Sequence, residues 1–365
     1  MNKTTKTKII GNRKSSSLEE LAKKARSDDC ELIDMILNPN PRTKNSNNDL
    51  PDEFIEDTVA EGVSNLDLSD DDFGGYLFYA VTDLSKGEKH FIRGIDLSTR
   101  RQKFNIEVQL HKGFTPFASG HVRTLKYIPN LGLFAGTKGM VKHLYTADLT
   151  FIDEDYCPVD NSIVLELDLI PKIGFTGLAQ DIHGQAFYFR VENNLPAQGV
   201  HRKEFQSKDD FDHYDIHCWA HNPLHGFFIG SDNGSVHKIV DYFGGAYTNS
   251  TGIVIGGKLS DLEIATGIGL YGAIDNKVYK LANYHMKCLN EPKQIASSGK
   301  LQISKLLYIP GTGLLFSTNH KNISLVSSLN EEKPAQVFHK TEGVVTAMEY
   351  VSKSQVTQAI EKLNA

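Results

Sequence analysis

The sequence repeats a short pattern in which two apolar runs are joined by a turn. One copy reads Leu125-Lys126-Tyr127-Ile128-Pro129 and continues Gly132-Leu133-Phe134-Ala135, and a later copy reads Leu306-Leu307-Tyr308-Ile309-Pro310 and continues Gly313-Leu314-Leu315-Phe316. Weaker copies begin near Thr176, Ile216 and Gly267. Short apolar runs build strands, and Pro, Asn and Gly supply the tight turns of antiparallel hairpins. The repeat therefore predicts a series of antiparallel meanders, and we expect an all-β fold class.

The spacing of the copies narrows the architecture further. Anchored on one strand of each copy, the spacing between successive starts runs from 41 to 57 residues. These starts lie near Gly75, Gly132, Gln185, Gly226, Gly269 and Gly313. Repeats of about 40 to 50 residues with several strands each are typical of β-propeller blades. We therefore predict a six-bladed propeller, with a seventh, degenerate blade within 98–122 or 150–175 as the open alternative.

The two ends of the repeated region complement each other. The segment Val344 to Val351 resembles the first strand of a copy with nothing after it, whereas Gly75 to Asp83 resembles the second strand of a copy that has lost its first. An open array of this kind would expose the edges of its terminal sheets. The sequence therefore predicts that the two ends share one blade and close the ring.

Several short motifs within the repeats carry a family resemblance. They are Gly120-His121 at the start of a copy, Pro129-Asn130 at a turn, Ile229-Gly230-Ser231 at a strand end and Asn233-Gly234 in a tight hairpin. These motifs resemble those of WD-repeat β-propellers, loosely over residues 74–352. The family's terminal Trp-Asp pair is missing, and His143-Leu144-Tyr145 stands at one of the matching places. The resemblance implies a platform for contacts with other proteins.

Composition divides the chain near Phe73. Residues 1–72 contain one aromatic residue, and they hold 10 basic and 16 acidic residues against 29 of each in the remainder, so the whole net charge of -6 lies in this segment. A segment with so few large apolar side chains is expected to be largely disordered. The predicted organisation is a charged N-terminal tail over 1–72, a propeller body over 73–352 and a C-terminal tail over 353–365.

Parts of the N-terminal tail nevertheless carry helix signals. The apolar residues with helical spacing that follow a capping box are Leu18, Leu21, Leu32 and Ile36, and Phe54 lies on a second short helical segment. A short amphipathic helix is marginal in water and gains stability by burying its apolar face. We therefore predict that these side chains contact a partner. His217 and Trp219, which share one side of a predicted strand in the body, complete the predicted partner-binding set.

Candidate motifs for chemistry in the body do not complete their patterns. Gly252 to Lys258 resembles a phosphate-binding loop, but Leu259 stands where a Ser or Thr would hold magnesium. Histidines recur every fourth residue from His213 to His225, which would align zinc ligands on a helix, yet the surrounding pattern is that of a strand. We therefore predict no catalytic, cofactor-binding or metal-binding residues, and zinc at His217 and His221 is the alternative.

Charge and cysteine usage restrict the partners and the compartment. Basic and acidic residues nearly balance, which argues against nucleic acid as a direct partner, and no apolar run approaches the ~18 residues of a membrane span. The four cysteines are widely spaced, and the first thirty residues lack a secretory apolar region. We expect an intracellular protein, cytoplasmic or nuclear.

These features together predict a non-enzymatic scaffold or adaptor subunit of an intracellular complex, which binds other proteins through its propeller faces and its tail helices. The alternative is a propeller enzyme, a hydrolase or lyase, with its site at the central channel. Carboxylate, His or Arg side chains that recur at one blade position would distinguish the enzyme. No such set is evident from local spacing in the sequence.

Overall fold

The computed structural model describes residues 74–83, 89–108, 121–170, 174–191, 200–207, 216–222, 226–241, 246–283, 285–326 and 328–363. Over these residues the chain forms 23 β-strands and one α-helix, which confirms the all-β prediction for the body. The predicted tail contacts at Leu18, Leu21, Leu32, Ile36 and Phe54 lie outside the described residues and stay predictions.

The described strands form three four-stranded sheets and one eleven-stranded sheet, in which β10 pairs parallel with β14. They divide into six antiparallel four-stranded meanders, called I to VI. Meander I contains β23 (Val344–Ser352), β1 (Gly75–Asp83), β2 (Lys89–Asp96) and β3 (Arg101–Glu107). Meander II contains β4 (Thr124–Ile128), β5 (Gly132–Gly136), β6 (Lys138–Tyr145) and the first part of β7 (Phe151–Ile170). Meander III contains the second part of β7, followed by β8 (Gly174–Asp181), β9 (Ala186–Val191) and β10 (Val200–Ser207).

The remaining three meanders follow in chain order. Meander IV contains β11 (Ile216–Asn222), β12 (Gly226–Ser231), β13 (Ser235–Asp241) and β14 (Ala246–Val254). Meander V contains β15 (Leu259–Ala265), β16 (Gly269–Ile274), β17 (Lys277–Asn283) and β18 (Cys288–Ser297). Meander VI contains β19 (Ile303–Ile309), β20 (Gly313–Thr318), β21 (Asn322–Val326) and β22 (Gln336–Lys340).

The ends of the repeated region share meander I. β23 pairs antiparallel with β1, so that Gly75 lies opposite Ser352 and Thr82 lies opposite Val344. A strand from the end of the body thus supplies the first strand of a sheet whose other strands come from its start. The prediction that the two ends share one sheet is confirmed, and both β1 edges are paired within the protein.

The sequence analysis misplaced one repeat. The second strand of meander III is β8, which starts at Gly174, and the predicted anchor at Gln185 immediately precedes the third strand, β9. The reason is β7, which runs for 20 residues and serves both meander II and meander III. Its second half is the missing first strand of meander III. No seventh meander occurs in the residues that the structure describes.

Buried apolar side chains form six clusters, and each cluster lies between two consecutive meanders. In the cluster between VI and I, for example, Leu315 and Ile323 pack with Leu77 and Val345. The first strands of the six meanders also contact one another in a closed cycle, in the order β23, β4, β7, β11, β15, β19 and back to β23. The cycle places one strand of every meander around a common centre.

The chain segment after β23, which the sequence analysis left as a C-terminal tail, forms α1 (Lys353–Leu363). Ser352 and Gln355 form a capping box. The backbone N–H of Gln355 donates to the Ser352 hydroxyl, and the backbone N–H of Ser352 donates to the side-chain oxygen of Gln355. Ala359 is buried, and Val356 packs against the cluster between meanders I and II. Within the described part of the chain, no helix combines the length and the apolar character needed to cross a bilayer.

Candidate active site

A cavity of about 250 Å³ touches the first strand of all six meanders. Each first strand contributes two side chains that are two residues apart and therefore point to the same face of the strand. The earlier residues of these pairs, called the lower layer, are Ala347, Thr124, Glu166, Trp219, Asp261 and Lys305. The later residues, called the upper layer, are Glu349, Lys126, Asp168, His221, Glu263 and Leu307. Five of the six upper positions are thus polar or charged.

Lys305 forms ion pairs with two carboxylates of the lower layer. Its ammonium contacts Glu166 on β7 and lies 3.4 Å from Oδ1 of Asp261 on β15. The Thr124 hydroxyl donates a hydrogen bond of 3.0 Å to the second oxygen of Glu166. Burial opposes the charge on Lys305, but Asp261 and Glu166 outweigh it and raise the lysine's pKa. The ammonium is therefore charged at neutral pH and fully engaged by the protein's own carboxylates.

The upper layer contains an Asp–His pair beside a lysine. Nδ1 of His221 lies 2.7 Å from Oδ2 of Asp168, and the imidazole stacks on Phe227 with ring centroids 4.3 Å apart. The Lys126 ammonium lies 3.8 Å from Oδ1 of Asp168. Burial favours a neutral Asp168, but Lys126 and His221 outweigh it and lower the pKa of this carboxyl. An ionised Asp168 favours the tautomer with the proton on Nδ1, which leaves the lone pair of His221 on Nε2.

Two glutamates of the upper layer are tied to the neighbouring meander. Oε1 of Glu263 accepts the backbone N–H of Tyr308 at 3.0 Å, and Oε1 of Glu349 accepts that of Tyr127 at 3.1 Å. Burial raises the pKa of Glu263 to about 8 and that of Glu349 to about 7. Burial also raises the pKa of Asp261, whose Oδ2 accepts the backbone N–H of Leu306. These carboxyl groups can therefore hold and release protons near neutral pH.

The surroundings of two carboxyl groups in the cavity drive their pKa values apart. Asp168 stays ionised and orients His221, while Glu263 keeps its proton to about pH 8. Such a separation is what general acid–base catalysis requires of two groups in one site. Lys126 supplies a positive charge next to them. The arrangement can accept a proton at one point, donate a proton at another and stabilise a developing oxyanion.

The two predicted partner-binding residues of the body have different surroundings. His217 pairs with Asp232 over 2.8 Å, and Asp232 also pairs with Lys258. Trp219 is 5% exposed, packs on Phe227 with ring centroids 4.6 Å apart and lines the cavity. Trp219 and His221 lie on one side of β11, since both rings contact Phe227. Trp219 is therefore placed to contact an occupant of the cavity.

The first strands carried a signal that motif searches missed. Thr124-Leu125-Lys126, Lys305-Leu306-Leu307 and Ala347-Met348-Glu349 occupy equivalent places, and each precedes a Tyr and a β-branched residue. The middle residues belong to the clusters between meanders, and the cavity is lined by their polar neighbours, which are Thr124, Lys126, Lys305 and Glu349. The sequence analysis found no recurring carboxylate or histidine position, and this was wrong. The recurring position holds Lys, Asp, His and Glu in different meanders, so a search for one residue type does not detect it.

The described residues contain no group of three or more His, Cys, Asp or Glu side chains placed to hold a metal ion. His217 and His221 have separate carboxylate partners, Asp232 and Asp168. The segment that resembles a phosphate loop lies partly in β14, and its Gly256 and Gly257 adopt positive φ in the turn before β15. It joins two strands, whereas a phosphate loop joins a strand to a helix.

No family model matches the chain, and no curated protein matches it in sequence. Similar solved structures do exist. One is a protein of unknown function from Bacteroides caccae, with 10% identity and a TM-score of 0.54, covering 77% of this chain and 100% of that chain. This similarity concerns the fold.

Two further structures are more distant. One is a "putative 6-phosphogluconolactonase" from Bacteroides fragilis, with 10% identity and a TM-score of 0.47, covering 78% of this chain and 100% of that chain. The other is Chaetomium thermophilum Sqt1 bound to the N-terminus of ribosomal protein L10, with 13% identity and a TM-score of 0.41, covering 75% of this chain and 74% of that chain.

The prediction of a non-enzymatic scaffold is corrected by the composition of the cavity. An Asp–His pair beside protonatable glutamates agrees with the alternative, a propeller enzyme, better than with an adaptor. Charged side chains also recur at one position of the first strands, which is the feature expected of the enzyme. The physical reason for the error is that the site is assembled from six separate segments of sequence.

Proposed function

We propose that the six meanders are the blades of a closed, WD-like β-propeller and that the chain is a hydrolase of ester or lactone bonds, with its site in the central cavity. The observation that carries the chemistry is the 2.7 Å contact between His221 and Asp168, in the same cavity as Glu263 with its pKa raised to about 8. The closed cycle of first-strand contacts and the six shared clusters support the architecture.

The proposed reaction is attack of water on the carbonyl carbon. Nε2 of His221 takes a proton from the water as the new carbon–oxygen bond forms, and Asp168 stabilises the resulting imidazolium. The carbonyl oxygen gains negative charge, which the Lys126 ammonium stabilises. When the bond to the leaving oxygen breaks, the carboxyl of Glu263 donates its proton to that oxygen. The products are an acid and an alcohol, or one hydroxy acid from a lactone, and proton exchange with solvent restores both residues.

The test uses the purified full-length chain and a panel of sugar lactones and aryl esters. Hydrolysis is followed by proton release or by chromophore release, first for the unaltered chain and then for His221→Asn, Asp168→Asn and Glu263→Gln. The matched control is His285→Asn, because His285 is exposed in the turn between β17 and β18. Removal of a general base or acid typically costs about 10²- to 10⁴-fold in rate.

We expect His221→Asn and Asp168→Asn to lose at least about 100-fold in kcat/KM and the control to retain the rate of the unaltered chain. The rate of the unaltered chain should fall as the pH rises through the pKa of Glu263, because the proton donor is lost. Failure to hydrolyse any member of the panel, or full activity in His221→Asn, would overturn the proposal.

A further inference from the structure

The charge arrangement of the cavity indicates which substrates it can hold. Its volume of about 250 Å³ lies below the range of ~300 to 1,000 Å³ for pockets of drug-sized ligands. At ~30 Å³ per water molecule, this volume corresponds to about eight waters, which is space for a molecule of about a dozen non-hydrogen atoms. The part of an occupant that enters the cavity is therefore about the size of a monosaccharide.

Both lysine ammonium groups of the cavity are already engaged. Lys305 contacts Glu166 and Asp261, and Lys126 lies 3.8 Å from Asp168. Among the described residues that line the cavity, five carry carboxyl groups and only these two are lysines. A phosphate group would compete with Asp168 and Glu166 for these two ammonium groups, and it would face both of these carboxylates across a largely buried site. Among the described residues of the cavity, no lysine is thus without a carboxylate partner for a phosphate to bind, whereas the single charge of an oxyanion can share Lys126 with Asp168.

The groups that remain available suit hydroxyl groups. Glu263 and Glu349 each use Oε1 for a backbone N–H, and within the described residues neither Oε2 has a hydrogen-bond partner. With pKa values near neutrality, these carboxyls can either donate or accept a hydrogen bond. Trp219 adds an aromatic surface on which the C–H face of a sugar ring can pack. Together these groups provide polar contacts at the rim of a ring and an apolar contact at its face.

We infer that the cavity binds a small, neutral, polyhydroxylated molecule of monosaccharide size and rejects its phosphorylated counterpart. This inference rests on the proposed function for the location of the site. It identifies the substrate class as uncharged sugar derivatives, and it makes the excess of carboxyl groups in the cavity the specificity determinant. Glu349, which lies in the upper layer beside Lys126, acts as a specificity residue and takes no part in the proposed proton transfers.

The test measures binding without catalysis. Full-length chain carrying His221→Asn is titrated with a panel of neutral hexoses, pentoses and polyols, with the phosphate ester of each and with the matching amino sugars, and thermal unfolding reports the bound fraction. We expect at least one neutral member to raise Tm with increasing concentration, and its phosphate ester to bind at least about tenfold more weakly. Tighter binding of the phosphate ester or of the amino sugar, or no shift with any member, would overturn the inference.

Two further variants connect the binding to the cavity. Trp219→Phe should weaken binding of the neutral sugar, whereas the matched control Phe151→Leu, at an exposed position of β7, should not. Glu349→Gln should preserve neutral sugar binding and narrow the discrimination against the phosphate ester, because the glutamine keeps an oxygen for the Tyr127 N–H and carries no charge. Equal binding in Trp219→Phe and the unaltered chain would place the ligand elsewhere and overturn the inference. Neutral sugar binding without hydrolysis of the ester and lactone panel would defeat the proposed function and leave this inference intact.

Discussion

Lys305 and Glu166 are 139 residues apart in the sequence and form an ion pair across the cavity. Lys305 belongs to meander VI and Glu166 to meander III, which have no strand pairing with each other. The hydrophobic clusters connect each meander to its immediate neighbours. This ion pair connects opposite sides of the cycle, and it does so in surroundings where water screens charges poorly.

Replacement of Lys305 by Met should therefore destabilise the body strongly. Glu166 and Asp261 would lose their cation in a largely buried site, and removal of one partner of a buried ion pair typically costs about 3 to 5 kcal/mol. Urea unfolding at neutral pH measures the change. The control is Lys89→Met, which breaks the exposed Lys89–Glu107 pair and should cost about 0 to 1 kcal/mol. An equal loss of unfolding free energy in both variants would mean that the cavity ion pair stabilises the body no more than the exposed pair does.

Glu263 should make the stability of the body depend on pH. Its pKa is raised from 4.5 to about 8, so the folded chain holds this proton more tightly than the unfolded chain does. The resulting stabilisation is complete below the unfolded pKa and is lost as the pH rises through the folded pKa. The pKa of Asp168 is lowered and this carboxyl stays ionised across the same pH range, so its titration does not offset the loss of stability.

The corresponding variant is Glu263→Gln, which is neutral at every pH and can still accept the Tyr308 N–H. Between pH ~5.5 and pH ~8.5 the unaltered chain should lose at least about 1 kcal/mol more unfolding free energy than the variant. Glu107→Gln, at the exposed partner of Lys89, is the control and should follow the unaltered chain. Parallel pH profiles for Glu263→Gln and the unaltered chain would contradict the assignment.

The glycine that opens a second strand should resist substitution. Gly132 has φ +126°, and a Cβ there would lie 1.9 Å from the backbone oxygen of Tyr145. Gly132→Ala should therefore force the β5–β6 hairpin to shift and cost more than about 2 kcal/mol in thermal or urea unfolding. Gly139→Ala is the matched control, since Gly139 has φ +73° with open space around it and should lose about 1 kcal/mol. Similar losses in the two variants would show that the close approach is relieved without cost.

Removal of residues 343–365 should prevent meander I from forming. The truncation deletes β23, exposes the edge of β1 and removes Glu349 from the cavity. We expect a lower melting temperature and self-association, measured by calorimetry and light scattering. A shorter truncation of 353–365 removes α1 and leaves β23 in place, so its effect should be smaller. A monomer of residues 1–342 with an unchanged melting temperature would refute the closure of the ring through β23.

The sequence predicted the repeated meanders and the pairing of their two ends because these depend on local signals. Five second strands begin with a glycine of positive φ, at Gly132, Gly174, Gly226, Gly269 and Gly313. The repeat at Gly174 was misplaced by one strand because its first strand follows the last strand of meander II without a turn. Where the sequence has no turn residues between two strands, the spacing of the repeats alone assigns strands to the wrong positions.

The cavity could be predicted only in part, since its chemistry is distributed over the chain. Lys126 and Leu307 occupy equivalent positions of two clear copies, yet one is charged and the other apolar. The contact between His221 and Asp168 joins residues 53 positions apart, on strands whose adjacency follows from the order of the meanders. The shifted pKa values depend on burial by all six first strands. Such properties exist only when the cycle is closed, so they leave no local pattern.

The continuity of β7 restricts how this protein can have been assembled or rearranged. β7 gives its first half to the β6 ladder and its second half to the β8 ladder. New chain termini between β18 and β19 would leave every strand intact, whereas a break between meanders II and III would divide a strand that both sheets need. Genetic exchange of single blades is therefore permitted at some junctions and forbidden at this one. Meanders II and III should be inherited, permuted and transplanted as one module.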